Sequence, residues 1–463
     1  MPVSDVSTPV QAEQPGVTPG RVKNRWLIAA SAVGIHICIG SVYAYSVMTT
    51  PVSQLMGASA DEVKVSFSIA IAFLGLSAAF LGHFVEKKGP RASGMLAAAC
   101  YGLGLVGAGV AVYLQSLWLF YLTYGVLGGI GLGVGYITPV STLVKWFPDK
   151  RGLATGLAIM GFGFASMIAA PIMAELFLAA GGTAEAPVYT ANSVARTFLI
   201  LGCVYGVVMF LSAQYLAPPP KGWQPAGFDA AAAKASWRRR EDLSQLTANQ
   251  SLGTRRFYFM WLMLFINVTC GIAVISVASP MARTMLGFDA IQAGFLVGLI
   301  GVFNGLGRIM WSSASDYLGR PLTFTLFFVI QIAAFALLPN VQSHLLFQVL
   351  ICLILTCYGG GFATVPAFLG DLFGTKQLGA IHGYTLTAWA AAGVVGPSVI
   401  IPLVKQFAGT ADTPEYYAKV LYVFAGLFVV ALVVSVLMML DIKAKRRASQ
   451  GTHDGQSALA EPA

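Results

Sequence analysis

Charge is what this 463-residue chain has least of. Asp, Glu, Lys and Arg make up 10% of it, where a soluble domain carries about 25%. With 57% hydrophobic residues and a mean hydropathy of +0.73, that shortage excludes a soluble globular protein and points to an all-α membrane protein that crosses the bilayer many times. Metal and disulfide signals are lacking too. The six Cys, at 38, 100, 203, 270, 352 and 357, all stand in apolar runs and none forms a CxxC pair. No phosphate loop, metal cluster or nucleophile–base pair is visible, so neither an enzyme nor a cofactor is expected. The longest internal polar stretch, the 37 residues from Ala217 to Gly253, is too short for a sensor's output domain. The N-terminus has no basic-then-apolar signal with a cleavage site, so the first apolar run is expected to remain as a helix.

Apolar runs occur at about 26–49, 65–85, 92–114, 117–144, 153–180 and 195–216. Six more follow at about 257–284, 291–314, 321–339, 344–369, 379–404 and 418–440. Each suits a hydrocarbon core of ~30 Å. The expected organisation is a disordered tail at 1–25, a six-helix half at 26–216, a linker at 217–256, a second six-helix half at 257–440 and a tail at 441–463. Of the 28 Lys and Arg, only Lys64, Arg196, Arg283, Lys405 and Lys419 fall between runs on one side, and Arg308 lies inside a run. The remaining 22 fall on the other side. That bias predicts both termini and the linker in the cytoplasm, with the chain in a plasma (inner) membrane. It also accounts for the net charge of +9 as topology and lipid contact rather than as nucleic-acid binding.

Arg308 is the exception, the one basic residue well inside an apolar run. An arginine at membrane depth costs about 2.5–3.5 kcal/mol on insertion scales, so it is expected to face a protein interior or cavity. Its planar fork of donors fits a carboxylate. Asn304 lies one helical turn earlier on the same face, and Gly305 and Gly307 leave room for close approach. The alternative is an arginine that satisfies helix-end carbonyls or snorkels to the interface about 12 Å away, near Asp316.

The two halves repeat. Pro139 and Pro366, Gly152 and Gly379, and Gly156 and Gly383 are each 227 residues apart, with Pro171 and Pro397 one off that register. The stretch around Glu86, Gly89 and Arg91 mirrors that around Asp316, Gly319 and Arg320 at a spacing of 230. Repeated halves suggest alternating access around a site between them.

These two loops resemble the signature loop of the major facilitator superfamily, with Pro90 interrupting the first basic pair and Ser312 in place of a usual glycine. The acid of such a loop can clamp neighbouring helix ends. Tyr358–Phe368, Phe373–Gly383 and Thr387–Gly393, with Gly40–Ser46 and Pro219–Trp223, look like the oxalate/formate antiporter family, which is related to the monocarboxylate transporters. The resemblance covers about residues 25–440. It implies twelve transmembrane helices in two pseudo-symmetric halves and exchange or proton-coupled movement of small carboxylates. It also implies that Arg308 binds the carboxylate, that Asn304 stands where relatives have Asn or Asp, and that Tyr43, Tyr136, Tyr358 and Phe362 line the cavity. Oxalate carriers have a second cation, a lysine, at the position matching Trp389. One cation serves one carboxylate, and a dianion would leave a charge unpaired in low dielectric. The departure favours a monocarboxylate such as formate, lactate or pyruvate over oxalate.

Tyrosines in apolar helices often pack with a satisfied hydroxyl, and Tyr45 fits that description better than Tyr43. His36 and His382 can titrate near neutral pH, although each also fits a structural role. Glu175 and Asp289 read as interfacial, and no carboxylate is placed clearly at the midplane. The expected partners are a small carboxylate, protons and the bilayer. The competing reading on the same architecture is an exporter of larger amphipathic compounds, for which Arg308 would matter little.

Overall fold

With no water in a bilayer core to satisfy N–H and C=O groups, a chain this apolar must close its backbone hydrogen bonds within helices. The computed structural model describes residues 22–178, 188–227, 243–288, 290–396 and 413–458, and these are helical almost throughout. In chain order they form α1 (Arg25–Gly40), a 3-10 turn (Ser41–Ala44), α2 (Tyr45–Met56), α3 (Ala60–Tyr113) and α4 (Leu117–Phe120). A π-helical segment (Tyr121–Leu127) then leads into α5 (Gly128–Trp146), followed by α6 (Arg151–Leu178) and α7 (Ala191–Tyr215). The rest is α8 (Ala248–Leu252), α9 (Arg255–Leu286), α10 (Ala290–Leu318), α11 (Arg320–Leu337), α12 (His344–Phe373), α13 (Leu378–Val395) and α14 (Pro414–Ala458).

Ten stretches among the described residues are long and apolar enough to cross a membrane. One of them, Glu62–Tyr113 of 52 residues, would be about 78 Å long at 1.5 Å per residue, more than twice the bilayer core. It is two spans, broken where Gly89 takes φ 81°. α13 adds a further apolar helix of 18 residues, and the described residues are consistent with twelve spans. Gly319 takes φ 88° at the mirrored position before α11. Both glycines therefore sit in the left-handed region that residues with a Cβ disfavour, and the two signature loops share one backbone turn.

The halves meet along two pseudo-symmetric seams, α3 against α13 and α6 against α10. The linker is partly docked. Leu243 N–H donates to the Asp371 carbonyl and Leu246 N–H to the Phe373 carbonyl, and Trp146 Nε1 donates to the Ala217 carbonyl at 2.7 Å. The last helix does not stop at 440. It continues through Lys443 to Ala458; Ala, Lys and Arg favour helix up to Ala448, and no proline intervenes beyond it. Residues 1–21, Asp289, Pro397, Lys405 and the basic run 238–240 lie outside the described residues.

Candidate functional site

α10 carries Arg308 into the interior, where the side chain is fully buried. It does not reach an interface. Its Nη1 donates to the Ile159 carbonyl of α6 at 3.1 Å, across the seam between the halves. Its Nε donates to Asn304 Oδ1 at 3.4 Å. Nη2 is buried without a hydrogen-bond partner. Among the described residues no Asp or Glu is buried, and none pairs with this guanidinium. Close approach is built in by small residues. A Cβ at Gly163 would lie 3.2 Å from Arg308 Nε, and one at Gly359 would lie 2.7 Å from Asn304 Oδ1. Gly305 and Gly307 do leave room, for the Phe164 ring and for the Thr356 backbone.

An aromatic cage surrounds the guanidinium. Arg308 Cζ is 5.8 Å from the Phe162 centroid and 5.7 Å from that of Phe362, within range of attraction to the ring faces. Trp389 packs edge-on against Phe362 at 4.7 Å and against Phe162 at 5.6 Å. Tyr136 lies 5.4 Å from Trp389 and 5.9 Å from Phe362, and Tyr43 lies 4.9 Å from Phe162. The Tyr43 hydroxyl neighbours Arg308 and Tyr358 without hydrogen-bond geometry to either. All seven residues read as substrate-binding from the sequence are therefore brought together, with the cage drawn from both halves. Tyr45 is not among them: its hydroxyl is held by the Val63 carbonyl and Ser66.

Local sequence explains why the rings stand where they do. A proline inside a helix removes the hydrogen bond to the carbonyl four residues back. Pro366 frees the carbonyl of Phe362, and Pro139 frees that of Gly135, next to Tyr136. Tyr136 and Phe362 therefore sit beside freed carbonyls of α5 and α12.

Polar atoms here lack protein partners: Arg308 Nη2, the hydroxyls of Tyr43, Tyr136 and Tyr358, Trp389 Nε1, and ring nitrogens of His36 and His382. An unmet buried polar group costs about 1–3 kcal/mol, and folded interiors hold few. A cluster of this size around one cation is suited to a small anionic guest that accepts from several donors. His36 and His382 flank Tyr136, at 5.3 and 5.7 Å between ring centroids.

The signature loops form a reciprocal clamp at the basic end of the bundle. Gly379 N–H, in the first turn of α13, donates to Glu86 Oε1 at 2.6 Å. Gly152 and Leu153 N–H, in the first turn of α6, donate to the Asp316 carboxylate at 2.9 and 3.0 Å. Each acid thus satisfies free amides at a helix start in the opposite half, where the helix dipole also favours negative charge. Lys145 pairs with Glu86 at 2.9 Å, Arg320 with Asp316 at 2.5 Å, and Arg151 joins Asp371 across the halves at 3.0 Å. Arg91 does not join Glu86. It donates to Gln214 of α7, because Gly89 and Pro90 turn the chain before it.

Sequence reading overlooked Phe162, Lys145 and the Arg151–Asp371 pair. The repeat held the signal for the first: Phe162 is 227 residues before Trp389, in the register that pairs Gly152 with Gly379.

Comparison with known proteins agrees with this architecture. The Major Facilitator Superfamily model matches residues 31–397. The chain is similar to the oxalate:formate antiporter of Oxalobacter formigenes, 26% identical over 85% of this chain and 88% of that one. It is similar to the apicoplast pyruvate carrier 1 of Toxoplasma gondii, 24% identical over 84% and 85%. Its fold matches that of the E. coli fucose:proton symporter with a TM-score of 0.65, at 14% identity over 90% of this chain and 99% of that one. Twelve helices in two repeated halves, joined by reciprocal acid–helix clamps and matched over most of their length, place this chain in the major facilitator superfamily of membrane transporters.

Proposed function

We propose that this transporter carries small carboxylates, and monocarboxylates such as formate, lactate or pyruvate in particular, by alternating access of its two halves. The observation that carries the reading is the free Nη2 of Arg308, buried in an aromatic cage with no acidic partner among the described residues. A carboxylate would accept from it in a charge-assisted bond. Asn304 and the hydroxyls of Tyr43, Tyr136 and Tyr358 would orient the bound acid, and Phe362 and Trp389 would close around it. Trp389 offers one N–H and no charge, which supports one carboxylate rather than two. The named activities of the two relatives support the substrate class. The Glu86 and Asp316 clamps, with Gly89, Arg91, Gly319 and Arg320 shaping their loops, would hold the cytoplasmic side shut and release it during transport. The Lys and Arg bias supports cytoplasmic termini in an inner membrane.

Oxalate exchange is the second reading, supported by similarity to a protein that exchanges it. Calorimetric titration of the detergent-solubilised protein with formate, lactate, pyruvate and oxalate separates the two. Heat from a monocarboxylate, abolished by Arg308→Gln, is the expected result. Binding of oxalate alone would overturn the monocarboxylate reading. Binding of a bulky amphipathic compound unaffected by Arg308→Gln would favour an exporter.

A further inference from the structure

We propose that His36 and His382 form a proton-binding site, one imidazole from each half, that takes up a proton when a carboxylate docks on Arg308. The proposal deepens the carboxylate reading above and rests on it.

The tautomer of His36 follows from its one hydrogen bond. Its Nδ1 lies 3.0 Å from the Ala32 carbonyl oxygen, which can only accept. Nδ1 therefore carries the hydrogen, and Nε2 presents a lone pair. That lone pair is buried and has no protein partner, and both ring nitrogens of His382 are likewise unpartnered. Both rings pack against Tyr136, with His36 in α1 and His382 in α13. The groups facing the pair are Arg308 from α10, beside His36, and Tyr136 from α5, beside both rings, and the two imidazoles also act on each other. Glu86 of α3, with Lys145 of α5, lies at the first turn of α13. Among the described residues no Asp or Glu is buried in the cage, so the imidazole nitrogens are the groups there with a lone pair to take up a proton.

Charge links the two events. A second positive charge in this buried cage must give up its hydration, and beside His36 it also meets the buried guanidinium of Arg308. A carboxylate on Arg308 offsets the repulsion and supplies a counter-charge, so anion and proton each favour the other's binding by the same factor. The charges balance: one anion and one proton enter together, leave together, and return the site to the single charge of Arg308. His382 is three residues, about 4.5 Å of helix rise, from Gly379, whose amide holds Glu86.

The test is titration calorimetry of the whole protein with formate, lactate and pyruvate near neutral pH, in two buffers of different ionisation enthalpy. The difference in heat reads the protons taken up on binding. Wild type is expected to take up protons, and His382→Gln and His36→Gln are each expected to lose that uptake while heat of carboxylate binding is still seen. Buffer-independent heat in wild type would overturn the proposal, and so would undiminished proton uptake in the double variant. Absence of binding heat from all three acids would instead bring down the carboxylate reading, and this inference with it.

Discussion

Glu86 and Gly379 stand 293 positions apart and are joined by a 2.6 Å hydrogen bond from the Gly379 amide to the Glu86 carboxylate. Asp316 repeats the arrangement on Gly152, so each half of the molecule caps a helix of the other. Losing a side-chain cap costs about 0.5–2 kcal/mol, which is up to about thirtyfold in an equilibrium constant. In Glu86→Gln and Asp316→Asn the basic end should therefore open more often. Hydrogen exchange at the amides of Gly379, Gly152 and Leu153 should accelerate about tenfold. Unchanged protection would show that the clamps do not hold the halves together.

Gly359 is a close support of the Arg308 face. An added Cβ would meet the backbone oxygen of Asn304 and lie 2.7 Å from its Oδ1. Gly359→Ala should lower stability by about 1–3 kcal/mol and weaken carboxylate binding by displacing Asn304. Thermal unfolding and titration on the same preparation check both effects. Wild-type behaviour in both would mean that α10 and α12 can part locally at no cost.

The helices were legible because apolar runs of membrane length leave the backbone little choice but to close its hydrogen bonds within helices. Arg308 was legible for the same reason, as the one cation inside a run. Phe162 was not, because an aromatic residue in an apolar run carries no contrast. Only the repeat register tied it to Trp389. The partner of Glu86 was also hidden. Lys87, Lys88 and Arg91 all follow it in its own loop, but Arg91 is sent past the turn at Gly89 to Gln214, and Lys145 arrives from another helix. The same repeat shows where the halves differ. At the spacing of the signature loops, Ala78 stands where the second half has Arg308, and it packs against Gly383 as the Arg308 carbonyl packs against Gly156. The site thus has one cation in a pseudo-symmetric frame.

Phe162 gives a test of the cage. Its ring faces Arg308 at 5.8 Å and touches Tyr43, Tyr136 and Trp389. Phe162→Ala should weaken binding of the smallest acids by about tenfold, from lost cation–π contact and packing. It should also admit acids with longer chains. A titration series from formate upward checks this, and an unaltered size preference would exclude Phe162 from the cage wall.

Tyr43 and Tyr45 should separate by role. Tyr45→Phe removes a hydroxyl that the Val63 carbonyl and Ser66 engage, and should lower stability by about 1 kcal/mol without changing substrate preference. Tyr43→Phe removes a hydroxyl without a protein partner and should weaken carboxylate binding with little loss of stability. Melting and binding curves for the two variants are expected to move in opposite patterns. If both variants lose stability alone, Tyr43 belongs to the packing and not to the site.

Counterflow in proteoliposomes tests the central claim most directly. Vesicles are loaded with unlabelled formate, lactate, pyruvate or oxalate, each labelled acid is supplied outside, and wild type is compared with Arg308→Gln. The account predicts rapid uptake of a labelled monocarboxylate by wild type and its loss, by at least about a hundredfold, when the charge-assisted contact is removed. Uptake by Arg308→Gln at the wild-type rate would contradict it.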